Sequence, residues 1–199
     1  MKRSGSFLAL LLAVFFFAAH AAEALPTVVL DAGHGGHDRG GVPGDPYPEK
    51  VYALDVAKRV RLRLVAAGYR VVMTRTDDTF IGLGQRCSIA NSQSNGIFVS
   101  IHFNSAPREG ADGIETYYYS GRSVGLASAI HTRMVQAAGT EDRHVRRRGF
   151  YVLRNNRLPA VLCECGFLTN RAEGKRIATS AEHRQRLADA IVAGIMARY

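Results

Sequence analysis

The sequence of 199 residues contains no tryptophan, only three cysteines and only six prolines. Three cysteines are too few for a disulfide-stapled miniprotein, so stability must come from a buried apolar core. Because three is an odd number, at least one thiol stays free, and we expect three buried thiols. Internal repeats and low-complexity linkers are also lacking, and 47% hydrophobic with 22% charged residues is the composition of a globular domain.

The first 24 residues have the pattern of a secretory signal peptide. Lys2 and Arg3 form a positive start, an apolar run follows from Phe7 to Ala19, and small residues surround a cleavage site at 22–24. The apolar run is shorter than the roughly 20 residues that a spanning helix needs. We therefore predict export to the periplasm, the extracellular space or the cell wall. The mature residues 25–199 would form one catalytic domain without a transmembrane anchor.

Acidic residues are scarce relative to basic ones, with 17 Asp and Glu against 26 Lys and Arg and a net charge of +9. A basic protein can be attracted to nucleic acid, to anionic lipid or to an anionic wall polymer. Because export makes nucleic acid the poorest of these partners, we expect no nucleic-acid partner. We also expect the mature chain to be a monomer. A solvated basic surface without any partner is the alternative.

Apolar strand-like runs alternate with segments of helical periodicity along the mature chain. This alternation predicts an α/β fold: a single, mostly parallel twisted sheet of about six strands with helices on both faces. Ligands bind beyond the carboxyl ends of the strands in such sheets. The pattern predicts strands at 27–31, 69–74, 96–103, 113–119, 150–153 and 160–165, and helices at 50–67, 83–94, 124–138 and 181–198.

Three of these strands carry polar residues at their carboxyl ends. His34 follows the first strand, His102 lies near the end of the 96–103 strand, and Glu164 lies in the last one. If the strands are parallel neighbours, these side chains converge on one edge of the sheet. Two imidazoles from separate strand ends suggest a metal, and Zn²⁺ commonly takes a carboxylate as its third protein ligand.

The third ligand has several candidates. Glu49 stands at the entry to the first helix and could point back toward the strand ends, although an acid there also suits a helix N-terminus without any metal. His37 could compete with His34 as a ligand, and Asp31 could orient a histidine ligand by a hydrogen bond. The other carboxylates that could serve as the third ligand are Asp31, Asp38 and Asp45.

Glu164 lies in an apolar strand, where an ionised carboxylate is costly unless it is paired or lies next to a metal. A buried salt bridge would explain it, and so would a general base beside metal-activated water. Burial would raise the pKa of Glu164, whereas a nearby cation would lower this pKa.

Taken together, six motifs resemble the zinc-dependent N-acetylmuramoyl-L-alanine amidases, family 3 wall hydrolases that act in cell separation and spore development. The match runs in order over nearly the whole mature chain. Any one motif is moderately specific, and the ordered set is strongly so. The motifs are VVLDAGHGGHDRG (28–40), PEKVYALDVAKRV (48–60), YRVVMTR (69–75), QRCSIAN (85–91), FVSIHFNS (98–105) and VLCECGFLTN (161–170).

The resemblance implies that His34, Glu49 and His102 bind one Zn²⁺ and that Glu164 is the catalytic carboxylate. It implies peptidoglycan as the substrate, cleaved between the lactyl group of N-acetylmuramic acid and L-alanine. Asn104 is a candidate for substrate binding, with ligand orientation or strand capping as alternatives. Another zinc-dependent wall peptidase, or a non-catalytic peptidoglycan-binding module, remains the alternative function.

Overall fold

A computed structural model describes residues 24–42, 44–107 and 110–199 of the chain. The predicted signal peptide, residues 1–24, lies outside the described residues except for Ala24. Among the residues that are described, none of the helices has the length and hydropathy needed to cross a bilayer. All three cysteines are buried free thiols, as expected.

Six strands form one sheet: β1 (Thr27–Ala32), β2 (Val71–Met73), β3 (Gly96–Asn104), β4 (Ile114–Tyr118), β5 (Asp142–Arg147) and β6 (Ala160–Phe167). Their order across the sheet is β2-β1-β3-β6-β4-β5. Strands β1, β2, β3 and β6 run parallel, whereas β4 and β5 are parallel to each other and antiparallel to β6. The predicted mostly parallel sheet is therefore confirmed.

Six α-helices in the described part of the chain accompany the sheet: α1 (Glu49–Ala66), α2 (Leu83–Asn91), α3 (Val124–Ala138), α4 (Tyr151–Arg154), α5 (Arg171–Thr179) and α6 (Ala181–Met196). Local signals set several of these ends. Asn170 accepts hydrogen bonds from the first backbone amides of α5, and Ser180 does so for α6. Gly139 ends α3 in a left-handed conformation.

The sequence pattern is wrong at residues 150–153, where a predicted strand is replaced by the single turn of α4. A short apolar run does not distinguish a strand from a buried helical turn, and here Val152 and Leu153 are buried against the sheet. The pattern also does not predict β5 and α5. Strand β5 reads DRHVRR, which has a single apolar residue and no alternation.

The two faces of the sheet are covered unequally. The long helices α1, α3 and α6 pack on one face, over the side chains of Leu30, Val99 and Cys163. On the other face, the nine-residue α2 and the four-residue α4 cover the beginnings of the strands around Val29 and Phe98. The carboxyl ends of β1, β3 and β6 on that face line a cleft of about 660 Å³.

Asp31 is fully buried at the end of β1, and its carboxylate accepts three hydrogen bonds. Oδ1 accepts from the hydroxyl of Thr74 at 2.7 Å and from the guanidinium of Arg86 at 2.6 Å. Oδ2 accepts from the hydroxyl of Ser100 at 2.7 Å. Because both members of the Asp31–Arg86 ion pair are buried, each compensates the other's charge.

Two arginines also hold the turn that follows β1. Arg86 donates to the carbonyls of Ala32 and His34, both at 2.7 Å. Arg75 donates to the carbonyls of Ala32 at 2.9 Å and Gly33 at 2.7 Å. These guanidinium groups satisfy carbonyls in a buried turn where orphaned acceptors would be costly. They therefore fix the backbone at the point where His34 leaves the sheet.

We expect Arg86→Met to lower the free energy of unfolding by about 3–5 kcal/mol, because it leaves Asp31 buried without its cation. Urea denaturation of the purified chain measures this loss. Arg63→Met is the matched control, since Arg63 pairs with Asp189 on the surface, where water screens the pair. If both variants lose the same small amount of stability, the buried Asp31–Arg86 pair does not stabilise the fold as expected.

Candidate metal and catalytic site

The cleft is built on a row of side chains that crosses the sheet. His102 of β3 lies opposite Glu164 of β6 in the strand register, and Glu164 lies opposite Glu115 of β4. His34 reaches the same cleft from the turn after β1, and Glu49 from the first residue of α1. Of the four predicted ligand and catalytic residues, the structure brings all together: His34, Glu49, His102 and Glu164 line one cleft.

The backbone around His34 is shaped to admit these side chains. His34 has φ of 59°, in the left-handed region that non-glycine residues rarely adopt. A Cβ at Gly33 would collide with the ring of His102, and one at Gly40 would lie 2.5 Å from Oε2 of Glu49 and 2.6 Å from Cδ2 of His34. These two glycines leave room for both imidazoles and the carboxylate to meet.

The carboxylate of Glu49 lies between the two imidazoles. Its Oε2 is 2.9 Å from Nε2 of His34, and its Oε1 is 2.8 Å from Nδ1 of His102. One ligand atom from each residue lies within 4.8 Å of the others, so the three residues could hold a metal ion. Two imidazole nitrogens and one carboxylate oxygen form a donor set that suits Zn²⁺ and leaves a fourth position open.

Glu49 is held in place by more than the histidines. Its Oε1 accepts from the backbone amide of Phe103 at 3.0 Å, and its Oε2 from that of Gly41 at 3.1 Å. Burial alone would raise the pKa of Glu49, but hydrogen bonds from His102 and His34 outweigh burial and lower this pKa to about 2. The carboxylate is therefore ionised at neutral pH, as a metal ligand must be.

Asp38 orients His34. Its Oδ2 lies 2.8 Å from Nδ1 of His34, on the far side of the ring from Glu49. Burial lowers the pKa of His34, whereas hydrogen bonds with Glu49 and Asp38 outweigh burial and raise this pKa. The orienting contact predicted for Asp31 is not formed: among the described residues its carboxylate bonds Thr74, Ser100 and Arg86 instead.

The remaining histidines and acids lie outside the three-residue group. His37 is exposed, and its ring packs on Phe80 at 4.3 Å between centroids. Asp45 accepts from the backbone amide of Tyr47. His131 contacts Asp142 and Thr116 on the opposite face of the sheet.

Glu164 is an acid of the cleft whose pKa is strongly shifted by its surroundings. Within the part of the chain that the structure describes, its Oε2 is shielded from solvent and has no hydrogen-bond partner. Burial, followed by the negative charges of Glu49 and Glu115, raises the pKa of Glu164 well above its usual value. A buried carboxyl group with a raised pKa next to a metal-binding group is a candidate for proton transfer.

The sequence pattern does not assign two residues of the site to the roles they have in the structure. It offers Asp38 only as a metal ligand, although a place four residues after His34 in a tight loop also allows a hydrogen bond to the imidazole. It passes over Glu115, a buried carboxylate among apolar residues in the strand GIETYYY. The same argument that singles out Glu164 applies to Glu115.

Comparisons with known proteins point to one family. Residues 28–197 match the family described as N-acetylmuramoyl-L-alanine amidase. The protein YqiI of Bacillus subtilis is 41% identical over 91% of this chain and 89% of its own length. The catalytic domain of CwlV, an N-acetylmuramoyl-L-alanine amidase from Bacillus (Paenibacillus) polymyxa var. colistinus, superposes with a TM-score of 0.83 at 37% identity, over 87% of this chain and 97% of that domain.

The amidase LytC of Bacillus subtilis is 36% identical over 87% of this chain. The match spans only 35% of the length of LytC. A family match over most of the chain, relatives above 30% identity and the same fold all agree. The chain therefore belongs to the N-acetylmuramoyl-L-alanine amidase family, whose members cleave an amide bond of peptidoglycan.

Proposed function

We propose that the protein is an exported zinc amidase that cleaves the amide between the lactyl group of N-acetylmuramic acid and L-alanine in peptidoglycan. The observation that carries this proposal is the placement of the His34–Glu49–His102 group and Glu164 in one cleft. Membership of the amidase family supports the substrate, and the names of relatives such as LytC support action on the wall.

His34, Glu49 and His102 would hold the ion through two nitrogens and one carboxylate oxygen. Zn²⁺ bound there supplies Lewis acidity, which polarises a carbonyl oxygen and makes water more acidic. Asp38 keeps Nε2 of His34 directed into the group through its bond to Nδ1.

Glu164 would act as general base and then as general acid. Its carboxylate accepts a proton from the water that attacks the lactyl carbonyl carbon. The protonated carboxyl then donates this proton to the nitrogen of the leaving L-alanine. The products are a glycan with an intact lactyl group and a peptide with a free amine.

The mature domain would comprise residues 25–199 and act outside the cytoplasm, in the periplasm, the extracellular space or the cell wall. The signal-peptide pattern of residues 1–24 and the cell-wall relatives support this location. The proposed chain works as a monomer on peptidoglycan, without nucleic acid as a partner. Asn104 lines the cleft and is proposed to contact substrate.

Purified wall digested with the zinc-loaded enzyme should release peptides that begin with a free L-alanine amine, and a chelator should abolish this release. Mass analysis of the soluble fragments measures both. Cleavage inside the stem peptide would instead identify another zinc peptidase. Wall binding without any cleavage would identify a binding module.

Glu164→Gln should retain zinc and lose activity by about 10²–10⁴-fold, because the general base is gone while the metal ligands remain. Steady-state rates on soluble muropeptides and zinc analysis of the same samples give the two quantities. Glu173→Gln is the control, since Glu173 is a buried glutamate bonded to backbone amides of Phe167 and Gly113. Activity of Glu164→Gln within threefold of the wild type would remove Glu164 from this role.

His34→Ala should lower the zinc content from about one ion per chain to near zero, because two protein ligands do not retain Zn²⁺ as three do. Metal analysis after gel filtration reads this directly. His37→Ala should keep its zinc, since His37 lies three residues away and outside the ligand group. Equal zinc in both variants would contradict the ligand assignment.

A further inference from the structure

Glu115 is a buried acid of the cleft region that the proposed mechanism does not use. It lies on β4 directly across from Glu164, and the residue is 5% exposed. A buried carboxylate is retained at a cost in free energy unless several groups compensate it. The contacts of Glu115 therefore indicate the role of this side chain.

Two hydrogen-bond donors meet one oxygen of Glu115. Nδ2 of Asn104 donates to Oε2 at 2.8 Å, and the hydroxyl of Tyr117 donates to the same oxygen at 2.6 Å. Nε of Arg143 lies 3.5 Å from Oε1, and Nη1 of Arg146 lies 3.9 Å from it. Both arginines come from β5, the edge strand. They lie near Oε1 of Glu115, whereas Oε2 accepts the hydrogen bonds from Asn104 and Tyr117.

These contacts determine which way the amide of Asn104 faces. The backbone amide of Ser105 can only donate, and it bonds Oδ1 of Asn104 at 2.8 Å. The amide oxygen of Asn104 therefore faces Ser105, and its NH₂ group faces Glu115. With one N–H on Glu115 and the oxygen on Ser105, Nδ2 keeps one further hydrogen to donate.

Asn104 lies in the cleft where the proposed substrate would bind. It lines the same cleft as His102 and Glu164, at the end of β3. The register between β3 and β6 shifts between His102 and Asn104. Such irregularities re-aim side chains at the edges of active sites.

We propose that Glu115 is a positioning residue that holds the Asn104 amide so that its second N–H donates to a carbonyl oxygen of the bound stem peptide. The inference rests on the proposed amidase function and deepens it. An amide substrate offers carbonyl acceptors on both sides of the cleaved bond. A fixed neutral donor binds such an oxygen without adding charge next to the metal group.

A double-mutant cycle tests the inference through kcat/KM on a soluble muropeptide. We expect Asn104→Ala to lose roughly tenfold, the worth of one hydrogen bond. Glu115→Gln should lose part of this factor, because its amide group can turn an NH₂ group instead of an oxygen toward Asn104. Because Glu115 acts through Asn104, adding Glu115→Gln to Asn104→Ala should cost little more. Zinc content should stay at the wild-type level in all three variants.

Glu173→Gln provides the comparison for a merely structural acid. The loss in kcat/KM of the double variant Glu173→Gln with Asn104→Ala should equal the product of the two single losses. The reason is that Glu173 bonds backbone amides and does not contact Asn104. If the losses in kcat/KM from Glu115→Gln and Asn104→Ala also multiply, Glu115 acts structurally or through Glu164, and the inference is overturned. Asn104→Ala within threefold of wild type overturns it as well, even if no Glu115 variant folds.

The exchanged pair, Asn104→Asp with Glu115→Gln, separates the internal bond from the donor. The amide introduced on β4 can donate to the carboxylate introduced on β3, so thermal stability should recover, but no N–H remains for substrate and activity should stay low. Recovered activity in the exchanged pair would contradict donation to substrate. A wild type that releases no peptide contradicts the proposed function itself, whereas an active wild type with a multiplicative cycle contradicts only this inference.

Discussion

The buried ion pair between Asp31 and Arg86 is the constraint on which the site depends. A carboxylate and a guanidinium deep in the sheet are tolerable only with each other and with further partners, and these partners are the groups that need to be fixed. Arg86 donates its other N–H groups to the carbonyls of Ala32 and His34. The charge pair thus fixes the turn that holds His34 in an unfavourable backbone conformation, with its imidazole facing Glu49.

Unequal coverage of the sheet then explains where the chemistry occurs. Three long helices seal one face, which is filled mainly by apolar residues. Among the described residues, the other face carries the short helices α2 and α4, and the polar strand ends beyond them stay accessible to a ligand. Glu164 is consequently half-buried in the sheet and still lines the cleft, which is how an acid can be partly desolvated and still reach substrate. Glu115 is buried beside it and contacts Asn104, which lines the cleft.

Polar residues at the ends of strand-like runs predicted that His34, His102 and Glu164 meet at one edge if their strands are parallel neighbours, because the ends of such strands converge whatever the loops do. In the structure β1, β3 and β6 are parallel neighbours. Glu49 needed more, since the geometry of a helix start follows from tertiary packing, and spacing alone did not decide between a metal ligand and an ordinary first-turn acid. The hydrogen bond predicted from Asp31 to a histidine ligand is not formed among the described residues, and Asp38, which the sequence offered only as a metal ligand, bonds His34 instead. The buried Arg86, distant in sequence, takes Asp31 for itself. Strand β5 escaped the pattern because an edge strand need not alternate apolar and polar residues.

That edge strand has a consequence for how molecules of this protein meet one another. An outermost strand offers unpaired amides and carbonyls that could template another chain. Strand β5 presents Arg143, Arg146 and Arg147 along this border, and His144 interrupts it with φ of 75°. A second copy approaching edge to edge would bring like charges together, which disfavours strand pairing along this edge.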